Sequence, residues 1–218
     1  MGLNRIPLEM ESSNHKVVRG FLSQSERKQI LDFVNEINAQ VLLNDHHLKY
    51  LIGKINGNSY MYDISRTDLT GKITRYQSGG TVMDQKLPAI FDNLIDRISQ
   101  TINIPTDHCF LQIVDMDKGG VIDRHYDTAT QGFINYKCNV SVLSENYDFC
   151  VDGETVNVNE GDMYCFEASL YKHWTPNPFH SRRILLSFGF MIPYDKLGRT
   201  EDDPRIRLSN RIERYFQR

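Results

Sequence analysis

Ile30, Leu31, Phe33, Val34, Ile37 and Val41 recur three and four positions apart, which puts one apolar stripe on a predicted helix. Ser23 followed by Glu26 is a capping-box signature for its start, and about five turns follow. A second stripe, Ile90, Phe91, Leu94, Ile95, Ile98 and Ile102, predicts another helix with Pro88 in its first turn and Pro105 after its end. From Phe110 onward the pattern shortens to β-type runs over 110–114, 121–126, 136–143, 149–151, 155–158, 163–166 and 184–191. Asp152-Gly153 and Glu160-Gly161 supply turns between some of them. The stretch 42–80 reads as irregular, with turn material at Asn56-Gly57-Asn58 and Ser78-Gly79-Gly80 around short strand-like pieces. Two helices followed by about eight strands is an α+β order, with the helices backing one sheet of a β-sandwich or barrel.

Composition narrows the class. Hydrophobic residues at 40% and charged residues at 24% are ordinary globular usage, so a folded domain is expected and disorder is not. The 218 residues suit a single domain over 1–218: helical support about 18–105, a β core about 108–193 and a tail 194–218. The tail is rich in arginine and ends in a short helical pattern over 208–216, read as a solvated face. A net charge of -3 argues against broad capture of nucleic acid and favours small substrates. No apolar run approaches the roughly 20 residues that span a bilayer, and no cleavable signal opens the chain, so no membrane partner and a cytoplasmic setting are expected. Cys109, Cys138, Cys150 and Cys165 show no CxxC pairing and read as buried thiols.

The candidate chemistry starts at His125-Tyr126-Asp127, in and just beyond the predicted strand 121–126. In a strand, residues i and i+2 face the same side, so an imidazole and a carboxylate can meet at one point. Alone, the triplet is weak. His173 lies beyond two predicted hairpins, and two histidines with one carboxylate make the facial triad that leaves three positions of an octahedral iron(II) open. A chelating 2-oxo acid takes two of these and O₂ the third. His180 is the rival third ligand, but it stands only three residues before Arg183. Arg183 is the natural fork for the distal carboxylate of 2-oxoglutarate. Strand alternation groups Arg183 with Leu185, Ser187 and Gly189 on a pocket face, and Arg182 with Ile184, Leu186, Phe188 and Phe190 on the packed face; a one-residue slip would exchange them.

The stretch 111–191 resembles the double-stranded β-helix, a jelly-roll or cupin-like fold, of the iron(II)/2-oxoglutarate-dependent dioxygenases. The resemblance rests on the run Gly119-Gly120-Val121-Ile122-Asp123-Arg124-His125-Tyr126-Asp127, then Gly161-Asp162-Met163-Tyr164-Cys165-Phe166, His173 and Arg183, in that order. It implies oxidative decarboxylation of 2-oxoglutarate by iron(II) and O₂ coupled to substrate oxidation, usually hydroxylation. Asn177 and the run Arg183-Ile184-Leu185-Leu186 are similar to the aspartyl/asparaginyl and cis-proline hydroxylase branch. The start, Val18-Arg19-Gly20-Phe21-Leu22-Ser23, is similar to prolyl hydroxylase-like members. The first branch often carries an Arg-x-His pair where this chain has Lys137-Cys138-Asn139, so Lys137 or Asn139 is the implied contact for the co-substrate's other carboxylate.

Arg75-Tyr76-Gln77 and the loop 128–133 are candidate substrate walls, and Trp174, beside His173, is a core or pocket-wall residue. Tyr126 reads as packing. The expected substrate is a small molecule, an amino acid or a peptidyl side chain, and Asp127 at the metal leaves no place for halide, which favours hydroxylation over halogenation. Two other readings stand beside it: a nucleic-acid demethylase on the same scaffold, and a non-catalytic cupin-like binding module.

Overall fold

The computed structural model describes residues 8–9, 14–40, 47–55, 58–65, 80–82, 88–104 and 109–206. The capping box forms as its residue types require. The Ser23 backbone N–H donates to Glu26 Oε2 (2.8 Å), Glu26 N–H donates back to Ser23 Oγ (3.3 Å), and helix α1 runs Gln24–Gln40. Helix α2, Ile90–Ile102, begins just after Pro88, whose carbonyl accepts from Phe91 N–H (3.2 Å). It ends on left-handed Asn103, and its six apolar stripe residues are all buried. Arg97 of α2 donates to Glu26 Oε1 (2.8 Å), so the cap of one helix is tied to the flank of the other.

The strands are β1 Leu8–Glu9, β2 His15–Val18, β3 His47–Ile55, β4 Asn58–Ser65, β5 Gly80–Val82, β6 Cys109–Met116, β7 Phe133–Leu143, β8 Tyr147–Val151, β9 Glu154–Val158, β10 Met163–Glu167, β11 His173–Trp174 and β12 Arg183–Pro193. Nine form a large sheet in the order β1-β2-β10-β7-β12-β6-β4-β3-β5, and three form a small sheet, β11-β8-β9. The two sheets with backing helices make the jelly-roll double-stranded β-helix, so the α+β expectation holds. Asp152 and Gly153 both take positive φ (51° and 92°), the conformation that a tight β8–β9 turn demands.

Strand alternation divides the core in two. Cys138, Val140 and Val142 of β7 and Ile184, Leu186, Phe188 and Phe190 of β12 pack against α1 and α2. Leu185 instead joins Phe149, Val151, Val156, Val158, Tyr164 and Phe166 between the sheets. That inner face also carries Arg183, Ser187, Lys137 and Asn139, at alternating positions.

Three expectations change. The segment 121–126 is not a strand: its contacts are sparse, one isolated bridge at His125 and single bonds farther along, because Gly119 and Gly120 bend the chain onto the loop after β11 rather than into a ladder. The stretch 42–80 is more regular than expected, since β3 and β4 form a hairpin, Ile55 opposite Asn58, that extends the large sheet through a parallel β4–β6 pairing. The solvated-face reading of the arginine-rich tail changes only in part: over 199–206 the segment is mostly exposed, but Ile206 is buried in the inner apolar cluster and anchors it; the pattern over 208–216 lies outside the described residues. All four cysteines are free and buried.

Replacing Ser23 with alanine is expected to lower unfolding free energy by about 1 kcal/mol in a denaturant titration. Burial raises the Glu26 carboxyl, but the bonds from the Ser23 backbone and from Arg97 outweigh it and hold the group below its ordinary 4.5. A depressed carboxyl stabilises the fold above its unfolded value and loses that contribution as pH falls through the folded value. The stability gap between wild type and Glu26→Gln therefore closes as pH drops below 4.5, and a gap independent of pH would contradict this.

Candidate metal centre

One reciprocal backbone bridge builds the centre. His125 N–H donates to His173 O (3.2 Å) and His173 N–H to His125 O (3.0 Å), which sets two distant chain segments side by side. Asp127 is fixed one step on, its N–H donating to Ala168 O (3.0 Å). The ligand atoms of His125, Asp127 and His173 all lie within 4.8 Å of one another, and they are the one such His/Cys/Asp/Glu group among the described residues. Asp127 Oδ1 is 3.4 Å from His125 Nε2 and 3.7 Å from His173 Nε2. Donors at roughly 2.1 Å from one ion in adjacent octahedral positions are about 3 Å apart, so a small inward movement would seat an ion.

Both imidazoles are aimed from behind. His125 Nδ1 meets Asp123 O at 2.6 Å and His173 Nδ1 meets Tyr171 O at 3.1 Å. A carbonyl can only accept, so each Nδ1 carries the proton and each Nε2 turns to Asp127, the arrangement metal-binding histidines use. His173 is buried against Phe166 (ring centroids 4.8 Å) and Phe149 (6.0 Å), and that burial pushes its pKa down to about 4. It is neutral at physiological pH. The hydrogen bond to Asp127 raises His125. Burial works against the Asp127 carboxylate, yet Lys137, whose Nζ is 2.8 Å from Oδ2, and the two histidines together hold it well below the usual carboxylate range. An ionised carboxylate between two imidazole nitrogens is a place where positive charge is favoured.

Arg183 is 1% exposed. Its guanidinium lies 4.7 Å from the ring centroids of both Tyr147 and Phe179, and Nη2 donates to Tyr147 OH (3.0 Å) and Tyr164 OH (3.2 Å). Nη1 reaches only Met116 Sδ (3.8 Å), and buried Nε has no partner. Among the described residues no carboxylate pairs with it. Arg182, one position away, points to the helix side and pairs bidentately with buried Asp115 (2.8 and 2.7 Å), which answers the question of strand phase. Between Arg183 and the triad runs a buried polar floor: Tyr164, Asn139 and Ser187 are direct cross-strand neighbours on β10, β7 and β12, with Lys137 one step nearer Asp127. Asn139 Oδ1 is buried without a partner.

Other expected site residues fall differently. Lys137 spends its charge on Asp127. His180 is exposed, away from the triad, in a pocket of about 190 Å³ that it shares with Asn177, Phe179 and Arg183. Trp174 follows His173 on β11 and so faces the other side of that strand, partly buried, with the Arg124 guanidinium 4.6 Å from its ring centroid. Tyr126 packs beneath Lys172 (5.4 Å). Arg75 and Tyr76 lie outside the described residues. Tyr147, Tyr164 and Phe179 around Arg183 went unread in the sequence, where single aromatics in strands and loops look like ordinary core.

No family model matches the chain, and no curated protein matches it in sequence. Solved structures do. A prolyl hydroxylase from Trichoplax adhaerens, in complex with a hypoxia inducible factor oxygen degradation domain peptide fragment, is 11% identical over 86% of this chain and 87% of its own, with TM-score 0.52. The viral collagen prolyl hydroxylase of Paramecium Bursaria Chlorella virus-1, in its 2OG complex, is 9% identical over 84% and 98%, with TM-score 0.52. HygX from Streptomyces hygroscopicus, with nickel and 2-oxoglutarate bound, is 12% identical over 83% of each chain, with TM-score 0.51. The likeness is one of fold: this chain shares the double-stranded β-helix of these structures.

Titrating the metal-free protein with cobalt(II) separates the two candidate histidines. His173→Ala is expected to abolish tight binding and His180→Ala to leave it within about twofold of wild type; equal losses in both would contradict the geometry.

Proposed function

We propose that the chain is an iron(II)- and 2-oxoglutarate-dependent oxygenase that hydroxylates an unactivated C–H bond of a small molecule, an amino acid or a peptidyl side chain. The observation that carries this reading is one strip, buried at Arg183 and along the polar floor and opening at His125, with two unlike ends: an anionic ligand cluster at Asp127 and a guanidinium with no acidic partner among the described residues. A short 2-oxo dicarboxylate complements both ends at once. Its distal carboxylate would take the free donors of Arg183, and its oxo-acid end would lie at the triad, near Asn139 and Ser187.

His125, Asp127 and His173 would hold the ion. Iron(II) bound there supplies, with O₂, the oxidative decarboxylation of 2-oxoglutarate to succinate and CO₂ and the oxidising power for the C–H bond. The chain's own contribution is placement and exclusion. Lys137 occupies Asp127 Oδ2, leaving Oδ1 turned to the histidines. The carbonyls of Asp123 and Tyr171 fix the imidazole tautomers. Phe149 and Phe166 close the rear of His173 against water. Tyr147, Tyr164 and Phe179 hold the Arg183 fork in one orientation.

At the opposite end of the strip the inner faces of β7 and β12 reach solvent through Phe133 and Met191, 39% and 44% exposed. Alternation puts both on the face of Lys137, with Asn135 between, so they are the candidate substrate walls. The fold shared with a prolyl hydroxylase seen with a peptide supports keeping peptidyl side chains within the substrate class.

With a panel of amino acids, peptides and small metabolites, succinate formation is expected to require both iron(II) and O₂ and to vanish in His173→Ala. Arg183→Met is expected to weaken 2-oxoglutarate binding about 30-fold or more, the lower end of the ~2–5 kcal/mol lost when one partner of a buried charge pair is removed. Unchanged co-substrate affinity in that variant, with no succinate from any substrate, would sink the proposal.

A further inference from the structure

After β12 and a 3₁₀ turn over Tyr194–Leu197, the chain turns back through 199–206 and crosses one end of the jelly roll. Two arginines of this strap meet the turn 167–171, which leads from β10 toward β11. Arg199 donates to Glu167 Oε2 through Nε (3.1 Å) and Nη2 (2.8 Å), to Tyr171 OH through Nη2 (2.8 Å), and to Asp203 Oδ2 through Nη1 (3.4 Å). Arg205 donates to the same phenol oxygen (3.2 Å), lies 4.8 Å over the Tyr171 ring, and has Nη2 3.8 Å from Asp152 Oδ2. Tyr171 is 2% exposed and Ile206 4%, so the strap is anchored on buried groups while Arg205 and Asp152 stay at the surface.

The backbone of the clamped turn serves the metal centre. Ala168 O accepts from Asp127 N–H (3.0 Å), and Tyr171 O accepts from His173 Nδ1–H (3.1 Å). Ala168 N–H donates to Asn135 O (2.8 Å), and Lys172 O accepts from Asp152 N–H (2.7 Å), which joins the turn to both sheets. Two of the three ligands therefore take their orientation from carbonyls whose turn is gripped, on its side-chain face, by the strap.

We propose that Arg199 and Arg205 are positioning residues for the metal centre: through Glu167 and Tyr171 the C-terminal strap sets the aim of Asp127 and His173, and so the affinity for the ion. The inference rests on the metal reading given above. A strap that only caps the barrel would add stability and leave ion affinity alone, and the two roles separate cleanly in experiment.

The experiment is calorimetric titration of the metal-free chain with cobalt(II), together with the cobalt visible spectrum, in wild type, Arg199→Gln, Tyr171→Phe and Ser23→Ala. Ser23→Ala is the stability control, remote from the strap. Arg199→Gln is expected to weaken cobalt binding about 10- to 100-fold, the usual effect of disturbing groups behind metal ligands, and to shift the spectrum. Tyr171→Phe keeps the ring in the core and removes the shared phenol oxygen; it should act in the same direction and decides the matter if Arg199→Gln does not fold. Ser23→Ala should lose stability with cobalt affinity unchanged. If wild type binds cobalt and both Arg199→Gln and Tyr171→Phe bind it equally well with the same spectrum, the positioning role is overturned and the metal reading stands. If wild type binds none, both fall.

Discussion

Removing a guanidinium from water costs several kcal/mol unless its donors and its charge are met. Arg183 is fully buried and only partly met. Two tyrosine hydroxyls and two aromatic faces take some of the cost, while one donor has only a thioether and another has nothing. An anion completes such an arrangement, and an acidic side chain would have filled it permanently. Arg182 makes the comparison within the same chain: one residue earlier and on the other face, it has its carboxylate in Asp115. Of the two neighbours, one is closed by an acidic partner and the other has none among the described residues.

The charge pattern at the other end is complementary. Asp127 stays ionised despite burial because Lys137 and two histidines surround it, and His173 stays neutral because it is buried. These are the protonation states a metal requires of its ligands. The backbone does the aligning. The His125–His173 bridge, the carbonyls of Asp123 and Tyr171, and the Asp127–Ala168 bond bring the loop carrying His125 and Asp127 and the short strand carrying His173 to one point.

Much of this was legible in the sequence, for identifiable reasons. The helices announced themselves through caps and stripes, the β8–β9 turn through Asp152-Gly153, and the inward phase of Arg183 through alternation against Ile184, Leu186 and Phe188. The triad was legible as an order of residues, but its local geometry was not. His125 and Asp127 meet through a bridge to His173 and a bond to Ala168, contacts that depend on the far end of the barrel and leave no periodic trace near Tyr126. The same limit hid the partner of Lys137, the outward face of Trp174 and the grip of Arg199 on Glu167. Each depends on which segments tertiary packing brings together.

A dicarboxylate spanning from the triad to Arg183 is the central claim, and joint binding tests it most directly. Without O₂, adding 2-oxoglutarate to the iron(II)-loaded protein should produce a visible charge-transfer band from chelation at the metal. The band should be absent in His173→Ala and should need far more 2-oxoglutarate in Arg183→Met. A band indifferent to Arg183, or 2-oxoglutarate binding equally tight with and without the metal, would contradict the account.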